Sequence, residues 1–268
     1  MIRHHIKPIL IVAALSGALQ AVLYVNPYTG TISLSELVLQ LSGSRGEFAL
    51  GVSLLELLGF AMRMVPSYIV SAFIGTELYR HYCTASVYVF SRHPNRLTWY
   101  AKEVGIIFSS AVVFYIIQLA TTILTTIFRY QIDFDWAGYG LLLYHFSIYT
   151  LWLFTMSMII NLLSVFFGSD SAFLSVIIGQ SALITLLSFA SDEVSPLIRT
   201  INPVAHLGIQ WHGCTNKLYE GILTTAYPYF NLDGTLLLML LLGIGILTAC
   251  GLILNKHDLL ISNMETGR

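Results

Sequence analysis

The chain has 268 residues, of which 56% are hydrophobic and only 10% charged, with a formal net charge of -1. An ordinary soluble domain carries roughly 25% charged residues, so these charges are too few to clothe a water-soluble fold, and the mean hydropathy of +0.75 agrees. The absence of any basic excess also argues against a nucleic-acid partner.

A helix needs about 20 mostly apolar residues to cross the hydrocarbon core of a bilayer. Six segments meet that need: Pro8 to Val25, Leu57 to Thr76, Val104 to Ile127, Ala137 to Phe167, Ala172 to Ala190 and Thr235 to Leu254. Helix is the expected form, because an open strand would leave its backbone groups unpaired in lipid. The first segment follows Arg3, His4, His5 and Lys7, as a signal peptide would, but it runs to Tyr24-Val25-Asn26-Pro27 without a small-residue cleavage site. It reads as a retained span. The fourth is long for a perpendicular crossing and must tilt, bend or begin outside the core. Asp133, Asp135 and Trp136 mark its entrance.

Lys and Arg set the orientation. With the N-terminus inside, Arg3, Lys7, Arg80, Arg92, Arg96, Lys102, Lys256 and Arg268 share the cytoplasmic side, against Arg45, Arg129, Arg199 and Lys217 outside. The bias favours both termini in the cytoplasm. The expected fold class is therefore an all-α integral membrane protein, a single domain over residues 1–268, with six transmembrane helices, N-in/C-in. Asn26 to about Ser53 is an external connection. Gly168 to Ser171 is a short internal turn. Ser191 to about Gly234 contains Pro196, Pro203 and Pro228 and cannot be one helix. Its Val204, Leu207, Ile209, Trp211, Leu218, Ile222 and Leu223 are apolar for a free loop, so short re-entrant or interfacial helices packed on the spans are expected. No internal repeat or low-complexity tract is evident.

Several polar groups fall in or near apolar segments. Arg63 lies in the second, with Glu56 about two helical turns earlier on a similar face. A charge at mid-membrane is costly and usually faces protein or a watery cavity. Arg63 either lines a pathway or, if the span starts near Met64, sits at the outer interface. Gln118, Asn161 and Gln180 are further candidate pathway or interhelical hydrogen-bonding groups. Ser71-x-x-x-Gly75 and Gly245-x-x-x-Ala249 permit close helix approach. His206, His212 and Cys214 cluster in sequence and are metal-ligand types, yet their spacing fits no standard zinc pattern. No metal is assigned. Cys83, Cys214 and Cys250 read as separate thiols. No P-loop and no His-Glu-x-x-His occurs, so neither nucleotide hydrolysis nor zinc-dependent proteolysis is expected of this chain.

The internal connection from Glu77 to Lys102 has charges at both ends, an apolar and aromatic run from Ala85 to Phe90, and a break at Pro94-Asn95, with Asn95 suited to cap the following helix. It is either a solvated connector with aromatics on the membrane interface or a docking element. The residues Glu77, Arg80, Ser91, Arg92, Arg96 and Lys102 resemble the pattern around the coupling helix in the type-2 family of ABC transporter permeases. Six spans and an elaborate external segment before the last span are similar too. The chain departs from that family in having only Met1 to Lys7 ahead of the first span, where a longer amphipathic helix is usual. The resemblance implies an ATPase-docking loop, with Tyr88 and Phe90 as its aromatic contacts. It also implies a separate cytoplasmic ABC ATPase holding ATP and Mg, a second permease subunit, identical or related, and a bacterial cell membrane. It further suggests export of an amphipathic or peptide-like substrate, as in antibiotic export or immunity systems. The alternative function is a membrane immunity or assembly factor that transports nothing and binds a peptide through its external segment.

Overall fold

The computed structural model describes residues 3–27, 30–43, 54–88, 96–187, 200–214, 216–223 and 230–256. Helix dominates: α1 (Arg3–Tyr24), α2 (Leu34–Ser42), α3 (Leu54–Ile74), α4 (Glu77–Tyr88), α5 (Arg96–Arg129), α6 (Trp136–Phe167), α7 (Ser169–Leu186) and α8 (Leu232–Lys256). Six of these, all but α2 and α4, are long and apolar enough to cross a membrane; the second of them, α3, continues through α4 as far as Cys83. The protein is a multi-pass helical membrane protein, and its six spans are those legible from hydropathy.

The helices alternate in direction, so α1 begins and α8 ends on one face of the bundle, here the terminal face. α1 lies along α5 in close contact. Gly17 makes this possible, since a Cβ there would collide with the Gln118 carbonyl and the Thr121 hydroxyl. Thr122 Oγ1 donates to Gly17 O at 3.0 Å, and Arg129 Nη1 to Ala21 O at 2.9 Å. Such intramembrane bonds contribute about 0.6 kcal/mol each. Gly75 is likewise pressed on Ile160 of α6, whereas a Cβ at Gly245 would meet nothing among the described residues.

α6 is the hub, with 61% of its apolar window buried against 17–39% for the other spans. Its 32 residues extend about 48 Å at 1.5 Å per residue, well beyond a core of about 30 Å. The excess is accommodated at its start, which stands beside α2 on the opposite, distal face. Gly168 ends it with φ 79°, and α7 begins at the next residue.

The connection after α1 is more ordered than an external loop. Thr31–Ser33 (β1) pairs in parallel with Gln131–Asp133 (β2), in the register Ile32 to Ile132. Ser33 then caps α2 by accepting Glu36 N–H at 3.2 Å. Leu34, Leu37, Val38 and Leu41 bury the inner face of α2. One carboxylate serves two helices here: Asp135 accepts Gly138 N–H as the cap of α6, and Ser35 N–H of α2, each at 3.0 Å.

Between the fifth and sixth spans the described residues form three short 3-10 turns, Ala205–Leu207, Ile209–Trp211 and Lys217–Tyr219. They pack on the spans as expected. Asn202 Nδ2 donates to Leu183 O at 2.7 Å, Tyr149 donates to Leu207 O at 3.0 Å, and Trp211 meets Phe60 at 5.3 Å between ring centroids.

Candidate functional site

The strongest candidate is the helical projection on the terminal face. α3 gives way to α4 across Gly75-Thr76, and α4 opens with Glu77, an acid placed favourably at a helix N-terminus. α4 is clamped by three contacts from two helices, α6 and α5. Asn161 of α6, fully buried, accepts the Tyr79 N–H at 3.0 Å while its own amide donates to Ser157 O at 2.8 Å. Asn161 therefore satisfies one of the free N–H groups in the first turn of a neighbouring helix. His81 Nδ1 lies 2.9 Å from Glu103 Oε2 of α5. Tyr82, buried, meets the Trp99 ring at 5.8 Å.

The first turns of α5 are tied in turn to the end of α8. Tyr100 donates to Leu247 O at 2.7 Å, and Gly251 faces the Tyr100 ring. Cys250 of α8 donates to Met158 O of α6 at 3.6 Å. The arrangement is a helical handle rooted in four spans. α4 is thus tied to α5 and α6 directly, and through Tyr100 of α5 to α8.

Arg80 is exposed on α4, Arg96 opens α5 and Lys102 is exposed nearly two turns further on. The side chain of Tyr88, at the end of α4, and all of Phe90, Ser91, Arg92 and Asn95 lie outside the described residues. His81, Trp99, Tyr100 and Glu103 were not singled out for this site; the alternation of charge and aromatic side chains at both ends of the connection was the available signal.

The candidate pathway residues are not gathered together. Arg63 lies where α1 ends, its guanidinium 4.2 Å from the Tyr24 ring centroid, and Nη2 donates to Gln40 O at 3.4 Å and Gly43 O at 3.3 Å. It closes the C-terminus of α2 on the distal face, where a cation is favoured. The helix around it starts at Leu54 and runs unbroken through Pro66, so Arg63 is both inside the helix and near the distal end. The side chain of Glu56 lies outside the described residues. Gln180 is buried on α7. Gln118 is buried on α5, and its Oε1 has no hydrogen-bond partner. His145 of α6, which sequence reading passed over, is buried with Nδ1 unpartnered and stacks on Tyr149 at 4.2 Å.

His206 and His212 do meet, through Thr235 of α8, whereas Cys214 turns away to donate to Asn216 O. Among the described residues no group of three His, Cys, Asp or Glu side chains is placed to hold a metal ion. No family model, no curated protein and no solved structure matches the chain.

Proposed function

We propose that this chain is the membrane subunit of an ATP-driven exporter, coupled to a separate cytoplasmic ATPase through the connection between α4 and α5. The observation that carries the reading is the Tyr79–Asn161 bond with its neighbours His81–Glu103 and Tyr82–Trp99. A connector with no mechanical role needs no such anchorage. A docking element does, because work done on it is useful only if the spans follow.

On this reading ATP and Mg bind to the partner ATPase, which grips the Thr84 to Asn95 region and is guided by Glu77, Arg80, Arg96 and Lys102. Closure of the ATPases pulls α4 and the start of α5 together, and α6 and α8 respond. A second permease, identical or related, completes the pathway in a bacterial membrane. The apolar character of the spans suits an amphipathic or peptide-like substrate.

The test is a photo-crosslinker placed at Phe90 or Arg92 in native membranes, with Phe90→Asp and Arg92→Glu as disrupting variants. Capture of a nucleotide-hydrolysing chain, lost in both variants together with ATP-dependent export, is the expected result. Capture of no such chain, or labelling of these positions from outside the cell, would overturn the reading in favour of an immunity or assembly factor.

A further inference from the structure

Two imidazoles and a hydroxyl meet where the 200–213 segment joins the first turn of α8. His206 Nδ1 and His212 Nε2 each lie 2.7 Å from Thr235 Oγ1. The remaining ring nitrogens face main-chain carbonyls: His206 Nε2 is 3.1 Å from Thr200 O, and His212 Nδ1 is 3.0 Å from Gly208 O and 3.1 Å from Ile209 O. All three side chains are buried, at 5%, 0% and 1% exposure for His206, His212 and Thr235. Phe230 covers both rings, with centroids at 4.6 and 4.4 Å.

Counting protons exposes a shortfall. A carbonyl oxygen only accepts, so each outer nitrogen must carry its ring's hydrogen. A neutral imidazole has one such hydrogen. Both inner nitrogens would then present lone pairs to Thr235, whose hydroxyl has a single proton to give. One of the two 2.7 Å contacts would set lone pair against lone pair. One additional proton resolves the conflict. With both His206 nitrogens protonated, Nε2–H donates to Thr200 O and Nδ1–H to Thr235 Oγ1. The Thr235 hydroxyl donates to His212 Nε2, and His212 Nδ1–H donates to Gly208 O. Every contact then has one donor and one acceptor.

We propose that His206, Thr235 and His212 form a binding site for a single proton, which fastens the 200–213 segment to the start of α8. His206 is the ring that holds it, because His212 is the more deeply enclosed. Burial, and then the charge of His206, hold His212 down at about 3. Burial, the larger influence, brings His206 below its ordinary value, and the Thr200 carbonyl offsets part of that loss. The Thr235 lone pair adds to the upward pull, since only a protonated Nδ1 can use it. A second proton is refused, with the rings 6.2 Å apart, so the pair titrates as one unit.

The titratable groups on neighbouring elements are committed elsewhere. Asp233 of α8 bonds Tyr144 of α6, Tyr149 of α6 donates to Leu207 O, and Cys214 donates to Asn216 O. Burial, then Asp233, raise the Tyr219 phenol and keep it neutral. Among the described residues no carboxylate is hydrogen-bonded to either ring. Loss of the proton must open one inner contact and loosen the start of α8.

The experiment is a ring-nitrogen NMR titration of the full-length, 15N-histidine-labelled protein in lipid nanodiscs from pH 8 to pH 5. His206→Gln and His212→Gln assign the signals. One doubly protonated ring, assigned to His206, is expected, its midpoint preserved in Thr235→Ser and lowered by about one pH unit or more in Thr235→Val. Two rings that stay singly protonated across the range in the unaltered protein would overturn the proposal, whatever the fate of the variants. So would a midpoint indifferent to loss of the hydroxyl in a folded Thr235→Val protein, or one that moves as far in Thr235→Ser.

Discussion

Asn161 on α6 holds the backbone N–H of Tyr79 at the start of α4, a 3.0 Å bond between side chain and main chain across 82 positions of sequence. Replacing it by Leu removes the acceptor of a part-buried bond, which costs about 0.5–1.5 kcal/mol. A lower thermal midpoint in detergent is expected for Asn161→Leu. If α4 also transmits work, substrate-stimulated ATP hydrolysis by the assembled complex should fall further than the loss of folded protein explains. Equal falls in the two readouts would assign Asn161 to stability alone.

Asp135 accepts from the first turns of both α2 and α6. Loss of a single N-cap costs about 0.5–2 kcal/mol. Asp135→Ala removes two bonds to helix N–H groups and should exceed Ser33→Ala, which removes one such bond together with the contact to Ser35 Oγ. Denaturation midpoints of the two variants, compared under one condition, check the ranking.

Gly17 lies against the α5 backbone, whereas Gly105 and Gly179 face open space. Gly17→Ala must push α1 off Gln118 and should cost about 1–3 kcal/mol. Gly105→Ala and Gly179→Ala meet no atoms and should be neutral or gain up to about 1 kcal/mol from helix propensity. Thermal midpoints of the three variants give the comparison. A cost as large at Gly179 as at Gly17 would indicate a contact from another chain.

His212 carries the main expectation for pH. Its ordinary value of 6.5 is lowered by burial, and secondarily by His206, to about 3. The unfolded chain therefore binds a proton that the folded His212 refuses. The stability His212 contributes is complete above about pH 6.5 and is lost as pH falls toward 3. At pH 5 the loss is about 2 kcal/mol. Compared in a His206→Gln background, where the shared proton no longer fastens α8, a thermal midpoint that drops between pH 7 and pH 5, with a shallower drop once His212→Gln is added, is the expected pattern.

What hydropathy could see, it placed well. The six spans stand within a few residues of their expected positions, except that α5 begins at Arg96 rather than Val104. Its first two turns carry Arg96, Lys102 and Glu103, and polar helix beyond the bilayer has no hydropathy signature. α2 was read as loop for a similar reason: nine residues are too few for a span. Its signal was present nonetheless, in Ser33 followed by Glu36, the spacing of a capping box. The candidate site was half legible. Charge and aromatic content marked the α4 region, but the partner of Asn161 is a backbone N–H, which no side-chain pattern announces. His206 and His212 drew attention as metal ligands because they are close in sequence. Thr235, which joins them, stands on another helix and could be found only in space.

The parallel pairing of Ile32 with Ile132 carries a consequence for how the protein is made. Strand β1 and the cap site that Asp135 offers α2 are about a hundred residues apart in sequence. At 5–20 residues per second, the ribosome needs about 5–20 s to supply the second half of that junction. During this interval α1 is already threaded into lipid with its carbonyls at Gly17 and Ala21 still awaiting α5. The junction therefore closes late in synthesis, after the residues that form its first half.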